Sequence, residues 1–203
     1  MANISFNPAL TTQPQNSFQL NTQGYIQGLT QDDPVSRMFL SAGQVASGVA
    51  QPMWGGMGVS VQVGGLNSNG QSLASLALAT STQIQGFTVF DQAINMQIIP
   101  GNSVPVSVAG QSMAYYSFGT NARIPVPVAA GAFAGLETAY TNATLYWDTT
   151  AFNLTTTSGA STVPLPSTVK VLAVDSNSKA VSYTSGTGAV NWTYGQDVAL
   201  IQL

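Results

Sequence analysis

The sequence predicts a mainly β protein: an antiparallel β-sandwich or jelly-roll-like barrel with an extended N-terminal arm and one or two short helices. Three observations carry this. From about residue 59 apolar and polar residues mostly alternate with period two, as in Val59-Ser60-Val61-Gln62-Val63, the pattern of half-buried strands. In the last third, short apolar runs are separated by Asp/Asn/Ser/Gly clusters, the chemistry of tight turns. The first 30 residues instead scatter Phe6, Leu10, Phe18, Leu20, Tyr25, Ile26 and Leu29 through Gln, Asn and Thr, which suits an arm better than a core segment.

These patterns divide the chain into an arm (1–30), a short helix with a Gly-rich interface segment (31–58), and a β-domain with a C-terminal meander (59–203). At QDDPVSRMFL, Asp32 or Asp33 can cap a helix with Pro34 in its first turn. That helix can run on through SAGQVASGVAQ until Gly43, Gly48 and Pro52 weaken and end it. Strands are expected at 59–63, 72–80, 83–90, 93–99, 103–108 and 113–118. The segment 123–128 is expected to be an edge strand or an extended crossing, because Pro125 and Pro127 cannot donate to a ladder. AAGAFAGLETAY permits one short helix. Residues 144–147 and 151–154 flank Asp148-Thr149-Thr150 as a hairpin. The runs 169–174, 180–183, 189–192 and 198–203 then form an antiparallel meander, with Asp175-Ser176-Asn177-Ser178 and Ser185-Gly186-Thr187-Gly188 as its turns.

Composition narrows the function. Four basic and seven acidic residues make 5% of the chain charged, where ordinary domains have about a quarter, yet 44% is apolar. The surface is therefore built from Gln, Asn, Ser and Thr, or is covered by other subunits. Four scattered cations cannot hold much phosphate: even with all four engaged, the salt slope on duplex DNA would not exceed about −3.6, which argues against nucleic acid as the main partner. With no cysteine, disulfides and thiolate chemistry are excluded. The N-terminus lacks a basic region followed by an apolar one, so an unprocessed, cytosolically made protein is expected. The uncharged stretch from Met38 to Phe90 is too often interrupted to span a membrane. The Asn-x-Ser/Thr triplets at Asn3, Asn142, Asn153 and Asn191 are read as chance in a chain rich in these residues.

No enzymatic constellation emerges. The chain has no histidine, which removes the commonest general base and the Ser-His and Cys-His nucleophile systems. GGMGVSVQVGG lacks a following Gly-Lys-Ser/Thr and precedes a strand, so it reads as a turn or close-packed backbone and not as a phosphate loop. Asp148, Asp175 and Asp197 fall at turns, where Asp bonds its own backbone, which speaks against a Glu137–Asp148 glycosidase pair. Asp32-Asp33 lacks EF-hand spacing and reads as a helix cap. No catalytic, metal-binding or cofactor-binding residue is assigned, and no cofactor is expected. Trp147 and Trp192 alternate with polar neighbours and read as packing. Trp54, beside Met53, Met57 and three glycines, suits an intersubunit contact as well as it suits a core. The candidate interface residues are Phe6, Phe18, Leu20, Tyr25, Asp32, Arg37, Phe39, Met53, Trp54 and Met57.

The C-terminal block LPSTVKVLAVDSNSKAVSYTSGTGAVNWTYGQDVALIQL resembles the end of the structural cement, or head decoration, proteins of tailed bacteriophages. The shared features are a Val-Lys-Val strand, an Asn-Ser-Lys turn, a Val-x-Tyr strand, a Gly-x-Val-x-Trp strand and a terminal Ala-Leu-Ile-x-Leu, all within residues 164–203. The resemblance implies a virion protein that sits on the capsid surface between capsomers, commonly as a homotrimer. Its partners would be the major capsid protein and further copies of itself, and its arm would reach a neighbouring subunit. It implies no catalytic residue. The GGMG stretch departs from the pattern. Other expectations are a different virion component (capsid, tail or spike), or a carbohydrate-binding or adhesin module with aromatic rings beside Asn, Asp and Gln.

Overall fold

The computed structural model of the chain describes residues 24–31, 36–66, 72–91, 96–98, 101–139 and 143–203. Within them the fold is mainly β, with a single α-helix, Phe133–Ala139 (α1). Five strands close a barrel: β1 (Ser41–Val45), β2 (Gly58–Leu66), β3 (Ser72–Leu78), β4 (Gly86–Val89) and β5 (Ser112–Ser117), in the ring order β1-β3-β2-β4-β5. Strand β3 lies between β2, to which it is antiparallel, and β1, to which it is parallel, so the ring is not a simple meander. Pairing of β1 with β5, from Ser41 opposite Tyr115 to Gln44 opposite Ser112, closes it.

Where a short helix was expected, the described residues form only a single 3-10 turn, Ser36–Phe39, and the chain then enters β1. Asp32, Asp33 and Pro34, the expected helix start, lie outside the described residues. Tertiary partners decide against the helix: β1 alternates in burial, with Gly43 against the Leu76 side chain and Val45 in the core, and it bonds strands on both sides. The expected strands at 93–99 and 103–108 also reduce to bridges, Gln97 with Val106 and Met53 with Ser107, while residues 92–95 and 99–100 are not described. Pro105, which has no N–H, interrupts the ladder there.

After the barrel come β6 (Arg123–Pro127), α1, and the small sheet of β7 (Tyr146–Asp148), β8 (Asn153–Thr155) and β9 (Thr162–Pro164) in the order β8-β7-β9. The expected hairpin turn is present: the Asp148 Oδ1 accepts from the amides of Thr150 (2.8 Å) and Ala151 (2.9 Å). The expected meander takes a different form. Two long strands, β10 (Lys170–Thr184) and β11 (Ala189–Gln202), make one antiparallel hairpin around the Ser185–Gly188 turn, and β6 pairs with the far side of β11. Asp175-Ser176-Asn177-Ser178 is thus a bulge and not a reversal. The Asp175 carboxylate does accept locally, from the Asn177 amide (2.8 Å) and the Ser178 hydroxyl (2.9 Å), but the register merely shifts.

Two cores result. Register places Val45, Val59, Leu76, Met113 and Tyr115 on the inner side of the barrel, where they cluster with Met53, Trp54 and Met57. The outward residues of β4 and β5 (Phe87, Val89, Ala114 and Tyr116) join Trp147, Leu154, Val171, Ala199 and Ile201 in the second core. Strands β4 and β5 are therefore buried on both faces, which explains their continuous apolar runs. The two three-stranded sheets supply the second layer over them.

Candidate functional site

The described end of the N-terminal segment is a strap across the joint between barrel and C-terminal hairpin. Its residues, Gly24 to Gln31, bond backbone on both sides. At the β10 bulge, the Tyr25 amide donates to the Ser178 hydroxyl (2.9 Å), the Lys179 amide to the Tyr25 carbonyl (2.8 Å) and the Gln27 amide to the Lys179 carbonyl (2.9 Å). Further on, the amides of Gly28 and Gln31 donate to the carbonyls of Pro125 and Arg123, each at 2.9 Å. Strand β6 is indeed at the edge of its three-stranded sheet, as its prolines suggested, and on this side it only needs to accept. Gln27 is 1% exposed; its amide nitrogen donates to the Gly55 carbonyl (3.1 Å) and its amide oxygen accepts from the Val181 amide (2.8 Å). The sequence places Gln27 in an extended arm and gives no sign of its burial, because nothing in a run of Gln, Asn and Thr marks which side chain is buried.

The GGMG segment is explained by close packing. Gly55 lies against Gly28 and the Phe90 ring, and a Cβ on Gly58 would stand 2.6 Å from the Trp147 indole nitrogen. Thr88, fully buried, staples the same turn: the Met57 amide donates to its hydroxyl (2.9 Å), which donates to the Trp54 carbonyl (2.6 Å).

The ten candidate interface residues separate into three groups. Met53, Trp54 and Met57 are core side chains of this chain, with Trp54 only 2% exposed. Trp54 packs edge-on against Phe152 at 5.8 Å and is tilted against Tyr183 at 5.5 Å, so it reaches no partner surface in this fold. Tyr25, Arg37 and Phe39 lie nearer the surface. Burial, and then the Asp175 charge, push the Tyr25 phenol above its ordinary value of 10.0. The Arg37 guanidinium stands 3.9 Å from the Asp91 carboxylate and is largely exposed. Phe39 is 54% exposed and its neighbour Met38 81%, an apolar pair facing outward at the 3-10 turn. Phe6, Phe18, Leu20 and Asp32 lie outside the described residues, as does the arm before Gly24.

Two depressions flank Tyr183. The larger, about 820 Å³, runs along the Ala46–Gln51 loop and the outer side of β2 and β3, and no charged residue lines it. The smaller, about 320 Å³, lies between the Thr150–Asn153 turn, β10 and Trp54, with Asp197 as its one charged residue. Near the bulge, the Lys179 ammonium sits over the rings of Trp192 (4.7 Å) and Tyr194 (5.2 Å). Among the described residues no group of three or more Asp or Glu could hold a metal ion, and no helix is long and apolar enough to cross a membrane. Asp148 and Asp175 have their carboxylates committed to turn and bulge backbone.

The class defined by these features is a charge-poor, mainly β protein with two cores and a strap-bound joint. Comparison with protein-family models, curated proteins and solved structures finds no match to this chain.

Proposed function

We propose that this chain is a non-enzymatic structural protein of a bacteriophage virion, which binds the outer capsid surface between capsomers and stabilises the head. Its partners in this reading are the major capsid protein and further copies of itself, as a homotrimer. The observation that carries the reading is the surface: a chain with two extensive cores has only eleven formally charged residues, and the Arg37–Asp91 ion pair is long, at 3.9 Å. Uncharged polar surface can be buried against other subunits without desolvating ions, which otherwise costs several kcal/mol per ion. Support also comes from residues 164–203, whose resemblance to head decoration proteins falls on β10 and β11. The finer fold expectation, a sandwich or jelly-roll core, belongs to the same reading, and the layering of the two small sheets over β4 and β5 favours it.

Sedimentation of virions with and without this chain tests the reading. The protein is expected to pellet with heads, and heads lacking it are expected to lose DNA at lower temperature. Failure to co-sediment would remove the virion reading, whereas co-sedimentation with heads of equal thermal resistance would remove the cement role and leave another virion part.

A further inference from the structure

We propose that the smaller cavity, walled by Trp54, Phe152, Tyr183, Asn153 and Asp197, binds a neutral polyhydroxylated ligand, one sugar ring of a glycan. At about 320 Å³ it lies at the lower end of small-molecule pockets and suits a compact ring. Its aromatic wall is rigid: Trp54 is held edge-on to Phe152, with an interplanar angle of 82°, and tilted by 40° against Tyr183. Trp54, 2% exposed, backs the wall, and the half-buried rings of Phe152 and Tyr183 offer the apolar faces that pack against the C–H face of a sugar ring.

The polar groups are more discriminating. Trp54 Nε1 and Asn153 Oδ1 are both buried and have no hydrogen-bond partner among the described residues. An indole N–H can only donate and an amide oxygen can only accept, so ligand hydroxyls, which do both, complement the pair. Asp197 is the only charged residue in the lining and no lysine or arginine joins it, so phosphate and sulfate find no counter-charge. A quaternary ammonium would suit three rings and a carboxylate. It would also leave both orphaned groups unpaired, and it would face the positive end of the indole N–H.

Backbone geometry converges on the same wall. Phe152 has φ 53°, a left-handed conformation that bulky L-residues rarely adopt, and strain of this kind clusters where ligands are held. It occurs at the turn residue that brings its own ring to Trp54 and places Asn153 beside it. Tyr183 also lines the uncharged depression of about 820 Å³, where a further buried amide nitrogen, Gln51 Nε2, has no hydrogen-bond partner among the described residues. A neutral oligosaccharide can therefore seat its terminal ring in the cavity and continue past Tyr183 along the groove. The site does not depend on the capsid reading, because it is complete within one chain.

The test is saturation-transfer NMR on the isolated full-length protein. The probes are glucose, N-acetylglucosamine and their neutral trisaccharides at millimolar concentration, with choline chloride and inorganic phosphate as comparisons. Saturation is expected on sugar ring protons, more strongly for a trisaccharide. Phe152→Gly, which relieves the left-handed backbone while removing a ring, should weaken binding about tenfold. Thr150→Trp, on the exposed turn, should block the cavity without touching the core, and Met38→Ala should leave binding unchanged. No transfer to any neutral saccharide would overturn the proposal, as would tighter binding of choline or phosphate, or undiminished binding by folded Thr150→Trp.

Discussion

Gln27 and Val181 are 154 positions apart, and the amide of Val181 donates to the Gln27 side-chain oxygen at 2.8 Å. The same side chain donates to Gly55, so one buried amide joins the barrel side of the molecule to the C-terminal hairpin. Replacing it by leucine leaves the Val181 N–H and the Gly55 carbonyl buried and unpaired. Gln27→Leu should cost about 2 kcal/mol or more in chemical denaturation. Removal of residues 1–31, which takes away the strap's bonds to β6 and β10, should shift the unfolding transition to markedly lower denaturant.

Gly58 offers a steric test of the joint between the two cores. A Cβ there would meet the Trp147 indole at 2.6 Å and the Ile84 side chain at 2.8 Å. Both neighbours are packed, and Trp147 is pinned edge-on to Phe87 at 5.0 Å. Gly58→Ala should therefore destabilise by about 1–3 kcal/mol, the usual cost of overpacking, and should shift tryptophan emission in the folded state.

Sequence and structure agree where a local pattern and a tertiary partner ask for the same thing. The hairpin at Asp148 is one case: its carboxylate accepts from two turn amides whatever surrounds it, so Asx chemistry alone marked it. The edge position of β6 is another, because prolines constrain the backbone directly. The reading failed where a partner overrode local preference. SAGQV can continue a helix, yet it becomes β1 because β3 and β5 flank it. Asp175-Ser176-Asn177-Ser178 has turn chemistry, yet β11 continues opposite it and Tyr25 bonds into the gap, so the chain bulges instead of reversing. Trp54 was ambiguous for a related reason: its burial comes from Phe152 and Tyr183, residues about a hundred or more positions away, which no local spacing reveals.

Tyr25 gives the strap a signature in pH. Its phenol is raised above 10.0 by burial first and by the Asp175 charge second, so the folded protein favours the neutral form. A group whose folded value is raised keeps its full contribution below the unfolded value and loses it as pH climbs through the folded one. Stability should fall as pH rises above about 10, and Tyr25→Phe should flatten that part of the profile relative to the unaltered chain. Unfolding free energies measured from pH 8 to 11.5 in both proteins check this; parallel profiles would show that Tyr25 is not responsible.

If the chain is a capsid cement, its association with heads should depend weakly on salt. Electrostatic attachment weakens as ions screen it over a Debye length of about 8 Å at physiological ionic strength, but a surface with this few charges has little to screen. Occupancy measured by sedimentation should remain nearly constant between low and high salt. Steep dissociation as salt rises would show that the few charged residues, Arg37 and Lys179 among them, dominate attachment.

Trp54 and the Met38–Phe39 pair make opposite predictions about where a partner sits. Trp54 belongs to the barrel core, so Trp54→Ala should cost about 3–5 kcal/mol of stability, and any loss of assembly should follow from unfolding. Met38 and Phe39 are exposed at the 3-10 turn and contribute little to either core, so replacing both by serine should change stability by about 0.5 kcal/mol or less per site. If this turn meets another subunit, the double variant should lower head occupancy or self-association by about tenfold while its thermal unfolding stays put, because an apolar anchor in an interface contributes about 1 kcal/mol or more. Analytical ultracentrifugation of the isolated protein and sedimentation with heads distinguish self-contact from capsid contact. Unchanged behaviour in both would move the contact surface away from this turn.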